Sequence, residues 1–89
     1  MAVADVMREK LAAAFAPVEL DVRDDSEKHR GHGGWREGGE THFHVRIVSP
    51  AFDGMSRVAR SRAVHAALKA ELDGGVHALG LDLRGASEV

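Results

Sequence analysis

Six histidines stand in an 89-residue chain that contains no cysteine. Imidazole changes charge near neutral pH, and its neutral form is a common metal ligand. His29 and His32 lie three apart in a glycine-rich stretch, a spacing usable for a metal. His42 and His44 lie two apart in an alternating run, and so share one face of a strand. His77 opens a second alternating run. A zinc or nickel site on these nitrogens is one reading, although zinc normally takes three or four ligands. The plainer reading is a hydrogen-bonded histidine at position 77 and incidental histidines elsewhere. Histidine catalysis has the least support, because no motif places a Ser or Asp partner and there is no thiol nucleophile.

The elements that must carry these residues are centred on Glu40 to Ser49. Phe43, Val45 and Ile47 alternate with His42, His44 and Arg46, which predicts a strand with one dry and one wet face. Pro50 ends it, since proline lacks an N–H and restricts the residue before it. Upstream, Val3, Met7, Leu11, Ala14 and Phe15 follow helical spacing, predicting a helix over 2–15 that Pro17 stops. Val18, Leu20 and Val22 predict an inward-facing row on a strand over 18–24. Its outward Glu19, Asp21 and Arg23 are set to face His42, His44 and Arg46. The segment between the strands, 28–40, holds the loop histidines, the only tryptophan and several glycines, and is expected to be a flexible surface loop.

Downstream, Ser56 is the expected N-cap of a helix running to Leu72. Val58, Ser61, His65, Leu68 and Leu72 form its expected inner stripe, and Arg57, Arg60 and Lys69 read as a solvated face. Asp73-Gly74-Gly75 stops it. Val76 to Arg84 predicts a third strand with Leu79, Leu81 and Leu83 inward. Residues 85–89 are expected to be a frayed tail.

The order α-β-β-α-β predicts an α+β fold, a three-stranded mixed sheet with helices packed on one face. The strand–helix–strand crossover makes the third strand parallel to the second. Both then begin at one end of the sheet, which brings His77 toward the loop that carries His29 and His32.

Composition narrows the function classes. The length suits one domain over 1–89. A net charge of −2 argues against a protein that coats nucleic acid. Disulfides are excluded, and thiolate ligands would have to come from elsewhere. No apolar run approaches a membrane span. With no targeting extension ahead of the first helix, a cytoplasmic, bacterial-type setting is expected.

Several stretches, in order, resemble the BolA family. They are Asp24-Asp25-Ser26 with His29, Gly39-Glu40-Thr41-His42-Phe43, Ile47-Val48-Ser49 and Phe52-Asp53-Gly54. Arg60 with Arg62, Val64-His65-Ala66-Ala67-Leu68, Glu71-Leu72 and Gly75-Val76-His77-Ala78-Leu79 continue the series. Ser61 departs from the family's common Arg-His-Arg. The resemblance implies a fold like a class II KH domain and a non-enzymatic adaptor that partners monothiol glutaredoxins. It also implies a [2Fe–2S] cluster held jointly with the glutaredoxin and glutathione, and no cofactor in the isolated chain, expected as a monomer. The histidine matching His77 would be one ligand. His29 fits the loop ligand better than His32, counting from Asp24-Asp25-Ser26. Imidazole ligation would raise the cluster's potential and make it pH-sensitive, as in Rieske centres. The alternative is a KH-like nucleic-acid-binding regulator using Arg57, Arg60 and Arg62. Against it, Phe52-Asp53-Gly54-Met55-Ser56 is no GxxG clamp.

Overall fold

The computed structural model describes residues 2–24, 42–76 and 78–89. Helix α1 (Val3–Phe15) is followed by β1 (Glu19–Asp24) and β2 (His42–Ser49). Helices α2 (Arg57–Ala67) and α3 (Lys69–Asp73) then lead to β3 (Ala78–Gly85). The sheet order is β1-β2-β3, with β1 antiparallel and β3 parallel to the central β2. This is the α+β mixed sheet that the alternating runs predict.

Local chemistry sets the boundaries. Helix α1 ends where Ala16 takes a left-handed conformation (φ 42°) and donates its N–H to the Ala12 carbonyl. Pro17 follows and cannot extend the helix. Pro50 stops β2 and opens a 3-10 turn over Pro50–Phe52. Ser49, fully buried, joins these two stops: its hydroxyl donates to the Phe15 carbonyl and accepts from the Ala51 N–H. The Phe15 and Phe52 rings pack beside it with centroids 4.9 Å apart. Ser56 caps α2 by accepting the Ala59 N–H at 3.1 Å, as expected of a serine at that position.

The core lies between the helices and the dry face of the sheet. Met7 and Leu11 from α1, Val64 from α2 and Leu68 after it meet Val22, Phe43, Val45 and Ile47, with Phe52 and Val76 completing the cluster. Leu79, Leu81 and Leu83 pack against it partly buried. Lys10 of α1 pairs with Glu71 of α3 at 2.8 Å, and Arg8 donates to the Val22 carbonyl. These tie the helical layer together and to the sheet.

Four expectations are corrected. The helix expected as one piece to Leu72 breaks at Leu68 (φ −106°, ψ 18°), giving α2 and α3. Its inner line is Arg60, Val64 and Leu68 at i, i+4 spacing, while Val58 is 59% exposed and His65 is exposed. The reason is an interior arginine: Arg60 is 7% exposed, and takes the inward position that polarity assigned to solvent. On the first strand, burial fades from Val22 through Leu20 to Val18, which is 71% exposed. Val18 precedes β1 on the sheet's edge, and its N–H donates to the Val48 carbonyl.

The fourth concerns residues 85–89, which are not frayed. Ala86–Glu88 forms a 3-10 turn. Arg60 grips both Glu88 carboxylate oxygens, at 2.7 and 3.0 Å. Glu88 in turn accepts the Gly85 N–H, and Asp53 accepts from the Ser87 N–H and hydroxyl. A side chain at Gly85 would collide with the Asp53 carboxylate, so glycine permits the close approach. Bidentate arginine pairing of this kind is what holds an otherwise short terminal turn in place.

Candidate functional site

The strand register gathers three chain positions at one end of the sheet. Asp24, the last residue of β1, pairs with Phe43. His42, the first of β2, pairs with Ala78, the first of β3. Residues 25–41 connect Asp24 to His42, and His77 directly precedes Ala78 in the chain. The candidate ligands His77, His29 and His32 all lie outside the described residues. What the described residues establish is the common origin of β2 and β3 at this end.

His42 and His44 sit on the sheet face opposite the core, both half-buried. His44 lies across from Gly80, where an added Cβ would approach its Nδ1 to 3.1 Å. Glycine therefore leaves the room that the imidazole occupies. Among the described residues no three His, Asp or Glu side chains come together as a metal site. The pair at 42 and 44 thus does not form a self-sufficient zinc centre with its described neighbours.

Beyond the histidines, the same face carries a charge network. Arg46 bridges Glu19 of β1 at 3.2 Å and Asp82 of β3 at 2.6 Å, and Arg84 holds the other Asp82 oxygen at 2.9 Å. The hydrogen bond from Arg84, followed by that from Arg46, holds the Asp82 carboxyl below its usual range. Sequence pairing anticipated acidic partners for Arg46 on β1. It did not name Asp82, although Asp82 alternates with Leu81 and Leu83 and so had to share the wet face.

The three arginines of the nucleic-acid reading separate. Arg57 and Arg62 are exposed. Arg60 is buried, with Nη1 donating to the Leu83 carbonyl at 3.2 Å and its ion pair turned to Glu88. That pairing, together with the Gly85 N–H, pulls the Glu88 carboxyl from its ordinary 4.5 to about 2. Arg60 is thus a tether for the chain's end and unavailable to a phosphate. His65 is likewise engaged locally, its Nδ1 2.8 Å from the Ser61 carbonyl oxygen. No helix among the described residues is long and apolar enough to cross a membrane.

An α-β-β-α-β domain with a central strand flanked by one antiparallel and one parallel neighbour is a defined class, and comparison with known proteins gives it a family. The BolA family profile, described as BolA-like protein, matches residues 11–88, and the chain belongs to this family. The chloroplastic protein BOLA1 of Arabidopsis thaliana is 49% identical over 84 residues, covering 92% of this chain and 52% of that protein. This chain therefore spans about half the length of that relative. The solved structure of BolA1 from Arabidopsis thaliana superposes with a TM-score of 0.89 at 43% identity, covering 100% of this chain and 98% of that one. The BolA domain of SufE1 from the same plant gives a TM-score of 0.89 at 44% identity, with the same coverage of both chains.

Proposed function

We propose that this chain is a non-enzymatic adaptor that pairs with a monothiol glutaredoxin and supplies nitrogen ligands to a [2Fe–2S] cluster held between them. His77 is the fixed ligand in this reading, and His29, with His32 in second place, is the loop ligand. The observation that carries it is the shared origin of β2 and β3, with His42 opposite Ala78. That register anchors the positions on either side of the proposed ligands to one end of a rigid sheet.

The donor chemistry fits. The chain has six histidines and no cysteine, so it can offer imidazole to iron but no thiolate. A cluster coordinated partly by this chain needs its thiolates from a partner, which in this reading are a glutaredoxin cysteine and glutathione. When bound, such a cluster would supply one-electron redox chemistry, tuned by nitrogen ligation. This chain's part is to fix the imidazoles, to limit their freedom through the sheet, and to keep them neutral for ligation. Ligation should therefore weaken as pH falls below the ordinary imidazole range.

The test is co-expression with a monothiol glutaredoxin, followed by visible absorption and circular dichroism of the purified pair. His77→Ala is expected to abolish the heterodimer spectrum or return it to that of the glutaredoxin alone. His29→Ala is expected to increase cluster loss, and His32→Ala to change it less. An unchanged spectrum and lability in His77→Ala defeats the assignment.

The nucleic-acid reading receives less support. One of its three arginines is committed to Glu88, and Asp53 stands in the turn where a phosphate would approach.

A further inference from the structure

A groove of about 590 Å³ runs between the start of α2 and β3, away from the end of the sheet where Ala78 begins. Its wall includes the four consecutive residues Leu81, Asp82, Leu83 and Arg84. Successive side chains of a strand point to opposite faces. A groove that touches all four therefore follows the strand's edge and not either face. β3 is bonded to β2 alone among the described residues, so its other edge carries no strand among them.

Two of the edge's polar groups show which way it faces. The Leu83 carbonyl accepts from Arg60, and the Gly85 N–H donates to Glu88. Backbone groups of alternate residues point to the same side. The N–H and C=O of Leu81 are therefore directed outward along with them, at the part of the edge the chain's own clasp does not reach. Exposed edges of this kind accept an added strand.

The groove's chemistry specifies what kind of strand. Met55, Leu81 and Leu83 give an aliphatic lining, and Arg57 and Arg84 also line the groove. Arg57 is exposed and meets no carboxylate among the described residues. The two acids of the groove are already engaged, Asp82 by Arg46 and Arg84, and Glu88 by Arg60. The unpaired positive charge is that of Arg57, and Arg84 holds Asp82 through its Nε alone among the described contacts. Among the described residues, no aromatic side chain lines the groove on which a base could stack, as single-stranded nucleic acid requires.

We propose that this groove is a docking site for an extended acidic segment of a second protein. The segment adds alongside β3 at Leu81, seats apolar side chains on Met55, Leu81 and Leu83, and presents carboxylates to Arg57 and Arg84. The site takes in Leu81 to Arg84, beyond position 78 on β3, and does not rest on the cluster site proposed above.

The probe is a fluorescein-labelled heptapeptide alternating valine and glutamate, titrated into the full chain and followed by anisotropy and by amide NMR shifts. Binding is expected with shifts confined to Arg57 and to Leu81 through Arg84. Arg57→Ala and Arg84→Ala should each weaken it several-fold, and raised salt should weaken it further. Arg62→Ala, an exposed arginine of the same helix outside the groove, should leave it unchanged. A peptide N-methylated at alternate amides should bind at least roughly tenfold more weakly, since it cannot bond to the edge. His77→Ala should bind like the parent chain. The proposal is overturned if the glutamine version binds equally well, if N-methylation has no effect, or if the shifts fall elsewhere. It is also overturned if a thymidine oligonucleotide displaces the peptide and outbinds it. A final overturning result is that the shifts track self-association of the chain, whose own β1 carries Glu19 and Asp21.

Discussion

The two ends of the three-stranded sheet are built on different chemistry. At the end where β2 finishes, every chain passage is tied down: Ser49 to the end of α1, Asp53 to Ser87, and Arg60 to Glu88. At the other end β1 finishes and β2 and β3 begin, and the proposed histidine ligands flank those strand termini in the chain. The first end uses polar groups to close the fold on itself. The second is where, on the proposed reading, the chain offers nitrogen donors to a partner. On the proposed reading, cluster ligation is allotted to the end of the β2–β3 pair opposite the one that closes the fold. Changes at one end should therefore leave the other's property alone.

The largest expected effect lies at the closed end. Phe52→Ala removes a fully buried ring packed on Phe15 and should cost about 3–5 kcal/mol of unfolding free energy in urea. The variant that still folds should retain glutaredoxin pairing under native conditions. If it loses pairing while remaining folded, the division between the ends is wrong.

Next comes Ser49→Ala, which deprives the Phe15 carbonyl of its donor and the Ala51 N–H of its acceptor. Leaving buried polar groups unpaired costs about 1–3 kcal/mol, readable as a lower urea midpoint with an unchanged slope. A loss near zero would mean that water replaces the hydroxyl.

The smallest is a pH effect. Glu88 is held at about 2 against an ordinary 4.5, through Arg60 and the Gly85 N–H. A carboxyl whose folded value is lowered contributes stability above its unfolded value, and the contribution is lost as pH falls toward the folded one. Stability should thus decline between pH 4.5 and about 2. Glu88→Gln should be less stable than the parent at pH 7 and should lose less between pH 5 and 3. Equal acid sensitivity in both would show that the clasp does not contribute in solution.

The contrast also explains what could be read from sequence. The dry row Phe43, Val45 and Ile47, the stop at Pro50 and the cap at Ser56 are local signals: each depends on periodicity or on a residue's own backbone chemistry. The structure bears them out. The closed end was not legible because its bonds are long-range. Arg60 and Glu88 are 28 positions apart, and nothing in either neighbourhood announces the other. An arginine read alone belongs to solvent, and a terminal pentapeptide read alone belongs to disorder. Only together does the pair reverse both expectations, and it displaces Val58 from the inner stripe. A hint was available: Arg60, Val64 and Leu68 share the i, i+4 line of the helix. For the candidate site, topology could be read because the crossover rule sets where β3 begins. The ligand roles of His77, His29 and His32 came from the family resemblance, and spacing alone left metal binding and plain hydrogen bonding both open.

The most direct measurement is electron–nuclear double resonance on the reduced cluster of the glutaredoxin heterodimer, with this chain alone labelled with 15N-histidine. Strong 15N coupling to iron from the labelled chain, lost in His77→Ala and retained in Arg57→Ala, is the predicted result. A cluster that shows no directly bonded nitrogen from this chain would contradict the account.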